Sequence, residues 1–392
     1  GREGGRGKEG GGTPAMRACA ICAGEGATLG KPSKKRYFQA RSAGLSNVPR
    51  TRRMCDKCSG IGLQPDGALP PAPHSALVAV AGGGIGGAAL ALALQQRGIR
   101  VRVYERDTSF DARAQGYALT MQQGANALRF LGLTNQGVFS HTHTSFLPDG
   151  TVLGRYGRAV HESTREHMGN GKGEAQRRNA HLPRQDLRAL LLSHTAPGTL
   201  QWGHALHRFD EDEEGVSLHF GGGEPTERAE LLVGADGIFS RTARQLRGGD
   251  SGLRYLGVVV VLGRASCDHE LADEQVFQTL DGETRVYVMP YSSTPKLSMW
   301  QLSFPLSEQQ ANRMSRDGAS LKAEALRRCG GWHAPIPQLL ARTAVEDVSG
   351  YPAYDREPTS GVCHTRRVVL LGDAAHPMSP FKGQGANQAL LD

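Results

Sequence analysis

The 392-residue sequence predicts an α/β fold: a parallel sheet flanked by helices, a second β-sheet interleaved with it, and a small cysteine module in front. Three observations carry that prediction. Leu77–Ala81 is an unbroken apolar run, the pattern of a strand buried on both faces, and it leads into glycines and an Ala/Leu-rich helical stretch. Two later apolar runs, Leu231–Val233 and Val368–Leu371, stop in the same way just before a glycine and an aspartate. Residues 253–355 instead hold alternating segments, which suit an antiparallel sheet covered on one face.

The chain opens with a Gly/Arg/Glu tail over residues 1–12. Residues 13–63 follow with Cys19-Ala-Ile-Cys22-Ala-Gly24-Glu-Gly26 and Cys55-Asp-Lys-Cys58-Ser-Gly60-Ile-Gly62. A C-x-x-C turn points two thiolates at one metal, and two such turns supply four, a closed tetrahedral site. One structural zinc on Cys19, Cys22, Cys55 and Cys58 is therefore expected, with a thiol redox pair as the alternative. The doubled glycines resemble the cysteine-rich repeats of DnaJ-type co-chaperones, over these two short pieces only. A protein partner for this module stays open. Residues 64–75 form a Pro-rich linker, and residues 76–392 form the main domain.

Charge separates the two parts. Residues 1–70 hold 13 Lys and Arg against 5 Asp and Glu, which is the whole formal charge of +8. The basic loop between the cysteine pairs fits a solvated loop offsetting thiolates, and nucleic acid is not an expected partner. No apolar run reaches the roughly 20 residues a membrane helix needs. Three of the seven cysteines are scattered, which argues against a disulfide framework and for a reducing, intracellular compartment.

The main domain carries the chemistry. Gly82, Gly84 and Gly87 form G-x-G-x-x-G between the strand at 77–81 and a helix expected over Ala88–Arg97. The next strand, Val101–Tyr104, ends at Glu105, 23 residues after Gly82. That is the Rossmann dinucleotide fingerprint. Glycines let backbone approach a pyrophosphate at a helix N-terminus, and the acid accepts ribose hydroxyls. Glu105 favours an unphosphorylated ribose, and Arg106 beside it is counted with the same site.

Gly234-Ala-Asp236-Gly237 and Gly372-Asp373-Ala-Ala-His376 complete a set, in order and spacing, that resembles the single-component FAD-dependent aromatic monooxygenases. That family includes para-hydroxybenzoate hydroxylase, salicylate hydroxylase and zeaxanthin epoxidase, and the likeness spans about residues 75–392. It implies FAD as cofactor, NAD(P)H as co-substrate without a nucleotide domain of its own, and dioxygen. It also implies a small phenolic or isoprenoid substrate, oxidised through a flavin hydroperoxide. Residue by residue, it puts the FAD pyrophosphate on Gly82, Gly84 and Gly87, the ribose on Glu105, and a flavin contact on Arg184, which opens an R-x-x-L pattern. Asp373 takes the ribityl region. Pro380, Gly383, Gln384, Gly385, Ala386 and Asn387 approach the flavin ring, and Asp236 serves both nucleotides. Arg113, with Gln115, lies where the chain passes the flavin. Met289, Tyr291, Trp300 and Phe304 are candidates to line a substrate pocket. No catalytic acid or base stands out.

The likeness departs in two places. Ala243 occupies the position where the family has an arginine after Asp-Gly, and the chain stops at Asp392, so C-terminal truncation is expected. The alternatives are another FAD oxidoreductase on the same scaffold, an inactive flavoprotein with a zinc-dependent interaction module, and a thiol oxidoreductase.

Overall fold

The computed structural model describes residues 76–113, 117–134, 137–157, 179–358 and 364–392, plus the backbone of 16–18, 27–30, 51–54 and 63–65. Five parallel strands lie in the order Leu200–Trp202, Arg100–Glu105, Leu77–Ala81, Leu231–Gly234 and Val368–Leu370. The strand at the centre comes first in this sheet, and both of its neighbours are later in the chain. Period-two alternation splits its apolar run between two cores. Val78 and Val80 face the helix Ile85–Gln95, with Ala91, Val101, Val103 and Val233. Ala79 and Ala81 face a three-stranded meander through Leu206, Phe209, Val216 and Leu218. Covering on both faces explains why the run is apolar throughout. The helix starts three residues earlier than expected, inside the glycine motif, and Gly98 follows its end at φ +73°.

The second sheet has seven strands, in the order Val152–Gly157, Thr142–Phe146, Gln275–Leu280, Arg285–Ser293, Lys296–Pro305, Leu253–Ala265 and Ser349–Arg356. Its pairings are antiparallel except that of Thr142–Phe146 with Gln275–Leu280, which is parallel. Five of its strands come from 253–356, and a hairpin from 142–157 extends it. One face packs beneath the helices Glu308–Met314, Gly318–Cys329 and Ile336–Arg342. Trp300 and Phe304 sit on that face, buried with Val286, Val288 and Leu302, so they are core and not pocket lining. Trp300 fills the space over Gly263, and its Nε1 donates to Thr343 Oγ1 at 2.8 Å. Met289 and Tyr291 take the opposite face, with Met299, Ala118 and Tyr117.

A three-stranded sheet of Ala118–Met121, Asn179–Pro183 and Val138–Ser140 contributes to that opposite side. At its centre His181 is 1% exposed, between Thr120 Oγ1 (3.1 Å) and Ser140 Oγ (2.7 Å). In the N-terminal module, Met16–Ala18 pairs with Leu63–Pro65 and Ala27–Gly30 with Thr51–Met54, both antiparallel. Cys19, Cys22, Cys55 and Cys58 lie outside the described residues. Among the described residues no helix is long and apolar enough to cross a membrane.

Burial pushes the His181 pKa down to about 4, so the folded protein holds a neutral imidazole. The unfolded chain takes up that proton near pH 6.5. Stability from this site is therefore complete above about pH 6.5 and is lost as pH falls toward 4, by up to about 3 kcal/mol. In urea denaturation, His181→Gln is expected to shrink the stability difference between pH 7 and pH 4.5. An unchanged difference would remove His181 as its source.

Candidate active site

The carboxyl ends of the parallel strands bring four separate motifs to one edge: the loop Gly82–Gly87, Glu105, Asp236 and Asp373. Close packing explains the glycines. Gly82 has φ +105°, and a Cβ there would lie 2.4 Å from Ala235 O, where the neighbouring strand ends. A Cβ on Gly87 would lie 2.0 Å from Gly82 O, so the helix start and the loop touch backbone to backbone. At Gly84 the nearest atom is Arg184 Nη2 at 3.9 Å, which leaves that stretch open. No side chain caps the helix that begins at Ile85, so its first N–H groups are left to a ligand or solvent.

Glu105 is 8% exposed and shares Gly83 with an arginine that the motifs did not single out. Gly83 N–H donates to Glu105 Oε2 at 2.8 Å, and Gly83 O accepts from Arg188 Nε at 2.8 Å. Arg188 Nη2 stands 3.6 Å from Glu105 Oε2. Its guanidinium, 3% exposed, sits 5.3 Å from the ring centres of both Phe110 and Trp202. Arg184 and Arg188 are one helical turn apart on Arg184–Ser193, so one helix face lays two cations along the glycine loop. That i, i+4 spacing was the available sequence signal for Arg188.

Asp373 occupies a short turn at Gly372–Ala374, with Gly372 at φ +58°. It is accessible to solvent. Surrounding protein nonetheless raises its pKa by desolvation, against the opposing pull of His376 and Arg184. Tyr351 combines the same properties: it is 37% exposed, and desolvation followed by the nearby Tyr117 and Asp373 raises its pKa. Asp373 and Tyr351 are thus both exposed to solvent on one side and desolvated by protein on the other. Tyr117 joins them, its phenol raised by burial and its ring 5.7 Å from the Arg184 guanidinium. No motif marked either tyrosine.

The loop after Asp373 passes through a turn at Pro380–Lys382, turns at Gly383 (φ +59°) and enters the helix Gly385–Leu391. Asn387 is 1% exposed and its amide is spent inside the protein. Its Oδ1 accepts from Gln122 N (2.8 Å) and Gly124 N (3.0 Å), and its Nδ2 donates to Thr120 O (2.9 Å). The side chain thus ties the loop to the strand Ala118–Met121. Gln384 Nε2 donates to Gln122 Oε1, while its Oε1 is buried without a donor among the described residues. Half-buried Pro380, Gly385 and Ala386 keep their backbone along the same edge, and Gly385 lies beside the Asp373 carboxylate. His376 Nε2 meets Asp392 Oδ2 at 2.8 Å, which holds the loop base.

Asp236 differs from the other carboxylates. Its oxygens accept from Ser240 Oγ and from the N–H groups of Arg241 (2.8 Å) and Thr242 (3.2 Å), fastening the start of Arg241–Leu246. Arg106 is exposed past the end of its strand. The backbone of Arg113 closes the turn Phe110–Arg113, while its side chain and Gln115 lie outside the described residues.

Asn387→Ala would leave two N–H groups without their acceptor, at about 1–3 kcal/mol each. A fall in Tm of several degrees is expected by calorimetry. An unchanged Tm would show that the tie is dispensable.

Residues 75–392 match the family described as FAD binding domain. A 6-hydroxynicotinate 3-monooxygenase of Bordetella bronchiseptica is 31% identical over 338 residues, covering 80% of each chain. A 3-amino-4-hydroxybenzoate 2-monooxygenase of Streptomyces platensis is 31% identical over 325 residues, covering 80% of this chain and 77% of its own. The crystal structure of Klebsiella pneumoniae HpxO complexed with FAD and uric acid superposes with a TM-score of 0.69 at 25% identity, over 82% of this chain and 78% of that one. The chain therefore belongs to the FAD binding domain family, among the FAD-dependent monooxygenases.

Proposed function

We propose that the cleft at the strand ends holds FAD and that the chain inserts one oxygen atom of dioxygen into an aromatic substrate, with NAD(P)H as reductant. The observation that carries this reading is the meeting of four separate motifs at one sheet edge. The residues suit the group. Gly84 leaves open space before an uncapped helix, and Gln384 Oε1 is a buried acceptor without a donor among the described residues. Asp373 is a desolvated carboxylate that solvent still reaches.

FAD, when bound, supplies the redox chemistry, taking electrons from NAD(P)H and activating dioxygen. The protein's own part is to bind, orient and exclude water. Backbone N–H groups of Gly84–Gly87 receive the pyrophosphate, with Arg184 adding charge. Glu105, held by Gly83 N–H, accepts from the adenosine ribose, and Arg188 fixes both from behind. Asp373 would accept from the ribityl hydroxyls, and the backbone of Pro380–Ala386 would serve the flavin ring. Tyr117 and Tyr351, near Arg184 and Asp373, would help to keep water from the reacting atoms, with Met289 and Tyr291 packed in the core beside Tyr117. Asp236 holds its turn for both nucleotides, because its carboxylate oxygens are already engaged. An aromatic substrate is preferred to an alkene, since the two relatives above are named for hydroxynicotinate and aminohydroxybenzoate.

The organisation follows as a zinc module over residues 13–63, a linker over 64–75 and the monooxygenase domain over 76–392. The strand pairings support a single zinc, because residues 19–26 and 55–62 each connect the same two strand pairs. About one zinc per chain is expected by metal analysis after reducing purification, and none would remove it.

The purified protein is expected to be yellow and to oxidise NAD(P)H faster with an aromatic substrate, forming a hydroxylated product by mass spectrometry. Two variants separate the ends of the site in fluorescence titrations. Asp373→Ala is expected to weaken FAD and FMN alike, by about tenfold or more for a lost carboxylate acceptor. Arg188→Met is expected to weaken FAD and spare FMN, which has no adenosine. A folded, colourless protein that takes up no FAD would overturn the reading.

A further inference from the structure

A cleft apart from the cofactor edge lies where the short helix Arg241–Leu246 meets the strand Leu206–Glu211. His207, Arg241, Arg244, Gln245, Gly248 and Gly249 line it, with about 490 Å³ of space between them. That is room for a small ligand. Leu246 packs with Leu206, Phe209 and Val216 on the meander side of the parallel sheet. The cleft is therefore on the opposite side from the helix Ile85–Gln95, which covers the other face.

The helix is held at both ends. Ser240 Oγ accepts from Ala243 N–H at 2.8 Å, and Asp236 accepts from the N–H groups of Arg241 and Thr242. At the far end Gln245 is clamped to the strand. Its Oε1 accepts from Phe209 N–H (3.0 Å) and its Nε2 donates to Phe209 O (2.6 Å). Thr242 and Ala243 are 1% exposed, so burying that side of the helix turns Arg241 and Arg244 outward. Gly248 (φ +69°) and Gly249 (φ +104°) then reverse the chain, and no atom lies within 4 Å of where a Cβ would be at either. That end of the cleft is open.

The cations here have no counterpart. Among the described residues neither Arg241 nor Arg244 forms an ion pair, and Asp236 just before them spends its oxygens on the helix start. On the adjoining meander, by contrast, Arg208 meets Asp210 and Arg228 meets Asp212. Arg241 Nη1 donates to His207 Nδ1 at 3.1 Å. A guanidinium can only donate, so Nδ1 accepts and Nε2 carries the ring proton. Two guanidinium forks and an imidazole N–H on one cleft supply more donors and more charge than a carboxylate takes up. They match a phosphate monoester, a dianion with three terminal oxygens.

We propose that this cleft is a phosphate site separate from the FAD pyrophosphate site, binding the phosphate monoester of a small molecule through Arg241, Arg244 and His207. It stands whether or not FAD binds at Gly84–Gly87. Two sources share this chemistry: the 2′-phosphate of a phosphorylated nicotinamide nucleotide, and a separate phosphorylated metabolite.

The test is calorimetric titration of the full chain, preloaded with FAD, with 2′-AMP, 5′-AMP and adenosine. A monoester is expected to bind about tenfold or more tighter than adenosine, and Arg241→Gln and Arg244→Gln are each expected to weaken it about tenfold for a lost charge-assisted bond. Arg208→Gln removes a paired cation nearby and is expected to change that affinity by about twofold or less. FAD affinity is expected to hold in all three variants. Tighter binding of 2′-AMP than of 5′-AMP identifies the nicotinamide nucleotide as the source, and equal or reversed binding identifies a separate metabolite. Three outcomes would overturn the proposal: monoesters binding no tighter than adenosine, Arg241 and Arg244 variants that bind as the wild type does, or an Arg208→Gln loss as large as theirs, which would mark a diffuse field. A wild type that takes up no FAD would instead sink the monooxygenase reading, and the same titration without FAD would still decide this site through the Arg241 and Arg244 variants.

Discussion

A carbonyl oxygen stands 2.0 Å from where a Cβ on Gly87 would be, and the cofactor edge depends on that contact. It lets the first helix start directly above the loop that leaves the central strand. The same compression recurs at Gly82 against Ala235 and at Gly86 against Leu371 and Ala389, where the last helix docks. Three segments far apart in sequence are thereby drawn to within a backbone's width of one another. Side chains added at these points would push the strand ends apart before any ligand arrived.

The flavin-binding domain and the large sheet share one short strand, Ala118–Met121. Asn387 binds its backbone from the cofactor loop, and Met299 Sδ accepts from Ala118 N–H out of the large sheet. Thr120 on that strand also reaches His181. A ligand placed between the two sheets would therefore touch residues already linked through this strand. That arrangement suits chemistry in which substrate and cofactor must be held in register.

Much of the architecture was legible from residue pattern. The unbroken run at 77–81 required burial on both faces, and each glycine or aspartate after an apolar run marked a strand end. Sidedness in the large sheet was harder to read, because aromatic residues occur on both faces. Trp300 and Phe304 differ from Met289 and Tyr291 only in which side of the pleat they take, and their packing partners are remote in sequence. Arg188 was visible as the residue four after Arg184. Tyr117 and Tyr351 carried no local signal, because their environment is made by strands that meet only in the fold. Asn387 and Asp236 show a further limit. Pattern locates a polar residue at a site, but whether its atoms face a ligand or hold the backbone is decided by the local turn for Asp236, whose partners are Ser240, Arg241 and Thr242, and by a distant strand for Asn387.

The central claim is that the strand-end edge is an FAD cradle, and a crystal structure of the full chain with FAD tests it most directly. The account predicts the pyrophosphate on the N–H groups of Gly84–Gly87, ribose hydroxyls on Glu105, the ribityl chain on Asp373 and the ring against Pro380–Ala386. FAD bound elsewhere, or running across the cleft in the opposite direction, would contradict it.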